Sequence, residues 1–209
     1  MTRSVRSSIR LVSGRYLDFD KLSEFTPTHY EIAVGLANTC RFAGQLAKFY
    51  SVAEHSVMVS HMVPPHLAYE ALMHDWTEAF IHDITSTLKR RLNDYRRIEQ
   101  EMEIEVNPRL GLPIRMNHLV KQAYVQALYA EKRDLMIGRH PDDDEFWADV
   151  DLIGRDFDHE KYTAEGLPPK AARILFLDRL SELYRQGLLP VSMSDNRAVT
   201  LPLEGRVPL

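Results

Sequence analysis

Apolar residues recur at turn spacing along much of the chain, and the pattern predicts helices almost throughout. From Glu31 onward Ile32, Leu36, Cys40 and Ala43 share one helical face, with Gly44 as a break. The stretch YSVAEHSVMVSHMVPP predicts a second helix, with Ser51 as the N-cap candidate and Pro64-Pro65 as the stop. HLAYEALMHDWTEAF predicts a third, whose Ala68, Leu72 and Ala79 face a core. ITSTLK reads as a loop or short turn, and NDYRRIEQEMEIEVNPRLG as a solvated helix ended by Pro108 and Gly111. A long helix is expected from about Ile114 to Met136, closed off by Gly138 and Pro141. PPKAARILFLDRLSELYRQG has proline at its start, glycine at its end and a stripe through Ile174, Leu177 and Leu180. Before the first helix only SGRYLDFDKL suggests a short strand or turn. The expected class is all-α, with a short irregular N-terminus and a peripheral C-terminal tail from about Leu188.

With 209 residues, 44% of them hydrophobic, the chain can bury one sizeable core, so one domain over 1–209 is expected. A formal charge of −4 and a pI near 6.1 argue against a basic surface for polymeric nucleic acid or an anionic membrane. The single cysteine, Cys40, excludes an internal disulfide and fits a reducing compartment, so a cytoplasmic location is expected. MTRSVRSSIRLVSG lacks the apolar run of a secretory signal, and no stretch is apolar for long enough to span a bilayer. PDDDEFWADVDLIGRDFD does not match a calcium-binding loop and reads as a solvated acidic loop.

Candidate chemistry centres on two His-Asp pairs, His74-Asp75 and His82-Asp83. His74 and Glu78 are four apart and Asp75 and Glu78 three apart, so on a helix all three project from one side. Three polar groups there are expensive to bury without a partner, and imidazole with carboxylate suits a first-row divalent ion. Further ligands must come from other helices. His55 on the preceding helix and Asp134 near the end of the long helix are the candidates, giving a four-ligand site with positions open to water and substrate. His82, four residues after Glu78, is assigned to the rim or the surface.

In order and spacing, YSVAEHS, MHDWTEA, HDITSTLK and AEKRD resemble the HD-domain metal-dependent phosphohydrolases, over about Ser13 to Met136. CRFAGQ followed by FYSVAEHS is similar to the phage-type dATP triphosphohydrolases that accompany 2-aminoadenine genomes, and the 5′-deoxynucleotidases are also close. The resemblance implies a helical bundle with a divalent metal (Co, Mn, Zn, Ni or Fe) on His55, His74, Asp75 and Asp134. It implies Glu78 as the acid/base, Asp83 as its assistant near the phosphate, Arg41 and Lys89 as phosphate-neutralising cations, and Phe42 against the sugar or base. The implied substrate is a small deoxynucleotide, dATP first, converted to deoxyadenosine and phosphate(s). A homo-oligomer is expected, in the host cytoplasm if the protein is phage-encoded. Trp76 and Ala43 depart from the pattern, which often has a small residue at the first position and Asn at the second. The alternatives are a 5′-nucleotidase limited to monophosphates, cleavage of another phosphodiester, and an HD-fold nucleotide-binding module without turnover.

Overall fold

Nine consecutive residues, Val52 to Ser60, are buried, so the helix that carries them has no solvent face. This helix, α2 (Val52–Met62), is the centre of the molecule, and its first turn is capped by Ser51, whose Oγ accepts from the Glu54 N–H. The computed structural model describes residues 7–138, 140–154 and 161–190. Around α2 pack α1 (His29–Asn38), α3 (Ala68–Met73), α7 (His118–Leu135) and α10 (Pro169–Arg185). Three helices lie further out: α4 (Glu78–Ile81), α5 (Ser86–Lys89) and α6 (Asn93–Val106). Two more, α8 (Asp143–Phe146) and α9 (Ala148–Gly154), fall in the acidic stretch, with α9 packed on α7 where a loop was expected. A short antiparallel hairpin, β1 (Ser8–Arg10) with β2 (Tyr16–Asp18), sets Leu17 into the core. The fold is all-α, and among the described residues no helix is long and apolar enough to cross a membrane. The tail expected from about Leu188 lies outside the described residues from 191 onward.

The apolar residues form two clusters on either side of α2. Ile32, Leu36, Val52, Leu72, Met102, Phe176 and Leu180 form the first, and Tyr50, Val59, Ala71, Val120, Ala123, Ala127 and Ala130 the second. Small residues on α7 let it approach α2 closely, and this approach delivers the polar side chains described below.

Several boundaries differ from the periodicity for local reasons. Helix α1 begins at His29 because Thr28 and Glu31 form a reciprocal capping box, and it ends before Cys40, which forms a bridge with Ser51. Helix α7 begins at His118, where the Asn117 side chain accepts from the Leu119 N–H. The third predicted helix is interrupted. After Met73 the backbone tightens, with Trp76 N–H donating to Met73 O and Glu78 N–H to Asp75 O, both at 3.0 Å, before α4 resumes. Such i→i+3 bonding has three residues per turn, so Asp75 and Glu78 are stacked along one side.

Gly35 sits where α1 touches α4, and a methyl group there would fall on the carbonyl and side chain of Ala79. Gly35→Ala is therefore expected to separate the two helices at a cost of about 1–3 kcal/mol. Thermal denaturation would read this as a Tm lower by roughly 3–10 °C, and an unchanged Tm would contradict the contact.

His29 is buried, and its Nε2 lies 3.0 Å from the Tyr69 hydroxyl, which donates to the Leu110 carbonyl at 3.0 Å. Tyr69 therefore accepts from the imidazole N–H, and burial lowers the His29 pKa from 6.5 to about 4. Above pH 6.5 the ring is neutral both folded and unfolded, and the full stability is present. As the pH falls from 6.5 towards 4 only the unfolded chain takes up the proton, so about 3 kcal/mol is lost across that window. Denaturant titrations at pH 7 and pH 4 should show wild type losing more stability than His29→Gln by this amount. Equal losses would refute it.

Candidate metal centre

Two histidines and an aspartate converge between α2 and the tightened turn after α3. His55 is on the first turn of α2, and His74 and Asp75 follow α3 directly. One donor atom from each lies within 4.8 Å of the other two. Asp75 Oδ2 is 3.0 Å from His74 Nε2 and 3.8 Å from His55 Nε2. The opposite nitrogen of each ring is occupied: His74 Nδ1 lies 2.8 Å from the Ala71 carbonyl, and His55 Nδ1 lies 2.5 Å from Glu131 Oε1. An imidazole that donates from Nδ1 has its lone pair on Nε2 when neutral. With both rings neutral, three lone pairs face one another, and His55 Nε2, His74 Nε2 and Asp75 Oδ2 are buried with no hydrogen-bond partner outside the set. Such a set could hold a cation, and its donor chemistry fits a divalent transition ion. The Ala71 carbonyl and the Glu131 carboxylate behind the imidazoles are the orienting partners that metal-bound histidines use.

The electrostatics follow. Burial alone would raise the Asp75 pKa, but the adjacent His74, His55 and Arg41 hold it well below the usual carboxylate range. Burial opposes charge on His74, yet Asp75 outweighs it and raises the ring's pKa. The His55 pKa is lowered by burial and by Arg41. Glu78 is buried and its Oε2 has no partner; burial, Asp75 and Asp83 raise its pKa well above that of a free glutamate. Asp83 is raised chiefly by burial, with Arg41 opposing.

Arg41 reaches the cluster from beyond the end of α1, with Nη1 3.9 Å from Asp75 Oδ2. Its Nη2 donates to Glu131 Oε2 at 3.0 Å, and the guanidinium lies over the Phe42 and Tyr124 rings. Phe42 and Ala43 have φ of 54° and 52°, left-handed backbone that costs non-glycine residues of order 1–3 kcal/mol. Ala43 stands where the resembled enzymes often have Asn, a residue that tolerates this conformation better. Lys89 sits on α5 with Nζ 2.5 Å from Glu99 Oε1, close enough to Glu78 and Asp75 to feel their charge. Trp76 points away into the core, where its Nε1 donates to Asn107 Oδ1 at 2.8 Å. His82 is exposed.

Asp134, expected as the fourth ligand, is not among the converging groups. Its carboxylate pairs with Arg133 and accepts from the Ala164 N–H at 2.9 Å. Asp134 lies three residues, about 4.5 Å, further along the helix than Glu131, which is the acidic residue that meets His55. From α7 the cluster instead meets Glu131 and Tyr124, whose ring centroid is 5.2 Å from that of His55 and 5.9 Å from that of His74. Neither was anticipated, although Glu131 interrupts the small-residue stripe Ala123, Ala127 and Ala130 with a charge. The segment before α10 that holds Asp134 is clasped from α2 as well, since Glu54 accepts from the backbone N–H groups of Glu165, Gly166 and Leu167. A cavity of about 530 Å³ between α7 and α9, lined by Tyr129, Lys132, Trp147 and Asp151, includes none of the cluster.

No family model matches the chain. It is 40% identical over 177 residues to the uncharacterized protein YfdR of Escherichia coli strain K12, covering 85% of this chain and 96% of that protein. It is 32% identical over 127 residues to an uncharacterized protein of Rhodobacter capsulatus, covering 54% of this chain and 63% of that one.

Proposed function

The chain belongs to the family of Escherichia coli YfdR, and we propose that it is a metal-dependent phosphohydrolase acting on a small deoxynucleotide. The observation that carries this reading is the convergence of three buried, unpartnered donor atoms from His55, His74 and Asp75 beside a buried arginine. A divalent ion bound there supplies a Lewis acid that lowers the pKa of a water molecule and offsets phosphate charge.

The side chains divide the remaining work. Arg41 offers positive charge to phosphate oxygens at the edge of the cluster, and Lys89 adds a second cation from the α5 side. Glu78, its proton retained by burial and by the neighbouring carboxylates, donates to the leaving oxygen. Asp83 extends this acidic wall and takes part in moving that proton. Phe42 lies over the Arg41 guanidinium and packs against the sugar or base. Choice of dATP, with deoxyadenosine as product, rests on the resemblance to the phage-type enzymes; a monophosphate-only 5′-nucleotidase uses the same residues. Binding without turnover is the second reading. It is favoured by the position of Asp134 away from the cluster and by the carboxylates that hold Arg41 and Lys89.

The test is chromatographic product analysis of metal-stripped protein, reloaded with Co²⁺ or Mn²⁺, against each deoxynucleoside mono- and triphosphate and the matching ribonucleotides. Metal-dependent release of deoxyadenosine from dATP is expected. Turnover of monophosphates alone selects the nucleotidase, and a silent panel with metal bound selects the binding module.

A further inference from the structure

The geometry points to Glu131 as the positioning residue that joins the metal ligand His55 to the anion-binding Arg41. This inference rests on the metal-centre reading above.

Glu131 is fully buried. Its Oε1 accepts a hydrogen bond from His55 Nδ1 at 2.5 Å, and its Oε2 accepts one from Arg41 Nη2 at 3.0 Å. Tyr50, also fully buried, lies against the same carboxylate. One side chain thus receives a donor from each half of the site. By accepting from Nδ1, Glu131 fixes the His55 tautomer that leaves the Nε2 lone pair facing Asp75 and His74, and it makes that nitrogen a stronger donor. By holding Nη2, it places Nη1 within 3.9 Å of Asp75. It also supplies the negative charge that lets a guanidinium remain buried.

An amide cannot do both. Glutamine has one acceptor oxygen and one NH₂ group, whereas two donors face this position. If the oxygen turns to Arg41, the NH₂ meets His55 Nδ1, and the ring relieves the clash by moving its proton to Nε2, where it blocks the metal. If the oxygen turns to His55, the NH₂ meets the guanidinium and Arg41 shifts. Metal and phosphate affinities are therefore linked through Glu131, and no other residue described at the site contacts both His55 and Arg41 through hydrogen bonds of this kind.

The test uses Mn²⁺ and inorganic triphosphate as probes on the full chain. Titration calorimetry of metal-stripped wild type and Glu131→Gln with Mn²⁺ should show affinity weakened roughly 10–100-fold in the variant. Triphosphate affinity of the Mn²⁺-saturated variant should also fall. Long-range ¹H–¹⁵N spectra of the metal-free proteins should place the His55 proton on Nδ1 in wild type and partly on Nε2 in the variant, which a purely structural defect would not produce. Should Glu131→Gln fail to fold around an unpaired Arg41, the double variant Arg41→Gln, Glu131→Gln removes both charges and is expected to show the same loss of Mn²⁺ affinity. Wild type that binds Mn²⁺ together with a variant of equal affinity and unchanged tautomer overturns the inference alone. Wild type that binds no divalent ion overturns the metal reading and this inference with it.

Discussion

Asp75→Asn is expected to strip the protein of its divalent ion and to reduce turnover to background. Asp75 is the one anionic donor of the three, and its Oδ2 lies 3.0 Å from His74 Nε2, 3.8 Å from His55 Nε2 and 3.9 Å from Arg41 Nη1. An amide of the same shape retains the volume and loses the charge around which three cationic or metal-seeking groups are arranged. Removing a partner behind a ligand already costs roughly 10–100-fold in metal affinity, so removing the ligand's charge should cost at least about 100-fold. Metal content after dialysis, measured by mass spectrometry, checks this directly. A variant with full metal occupancy and wild-type turnover would show that the ion, or the chemistry, is elsewhere.

Glu78→Gln should behave in the opposite way towards metal, keeping the ion while turnover falls about 10²–10⁴-fold. Glu78 is stacked above Asp75 by the tightened backbone, with its amide donating to the Asp75 carbonyl at 3.0 Å. It is not one of the converging donors, and its buried Oε2 has no partner. A carboxyl in that position, with its pKa raised by burial and then by Asp75 and Asp83, holds its proton to higher pH than a free glutamate and can give it up only to something that enters the site. Glutamine fills the same space but has no acidic proton to transfer. The alkaline limb of the wild-type pH–rate profile should disappear in the variant's residual activity. Normal turnover by Glu78→Gln would remove Glu78 from the mechanism.

The parts of this account that were legible in the sequence are those set by local chemistry. Ser51 before an apolar run, Pro64-Pro65, and Gly111 after a polar helix each mark a helix end, and the helices end close to them. His55, His74 and Asp75 were identifiable because polar residues at helical spacing on otherwise apolar segments need a reason to be buried. Asp134 and Glu131 could not be told apart in the same way. Both are acidic and lie on one helix three residues apart, and which of them meets His55 depends on how far along its axis α7 packs on α2. That register is set by close packing of Ala123, Ala127 and Ala130 against the second apolar cluster, a tertiary property that periodicity does not encode. Tyr124 was hidden for a related reason: an aromatic residue among alanines reads as core until the histidine rings are seen beside it. The break at His74–Thr77 was also invisible, because ALMHDWTEAF has no proline or glycine to announce it.

The proposed metal centre is tested most directly by anomalous X-ray scattering at the cobalt edge from crystals of Co²⁺-loaded protein. One strong peak bounded by His55 Nε2, His74 Nε2 and Asp75 Oδ2 is the predicted result. Full loading with the peak at another position, or no retained cobalt while those three side chains keep their arrangement, would contradict it.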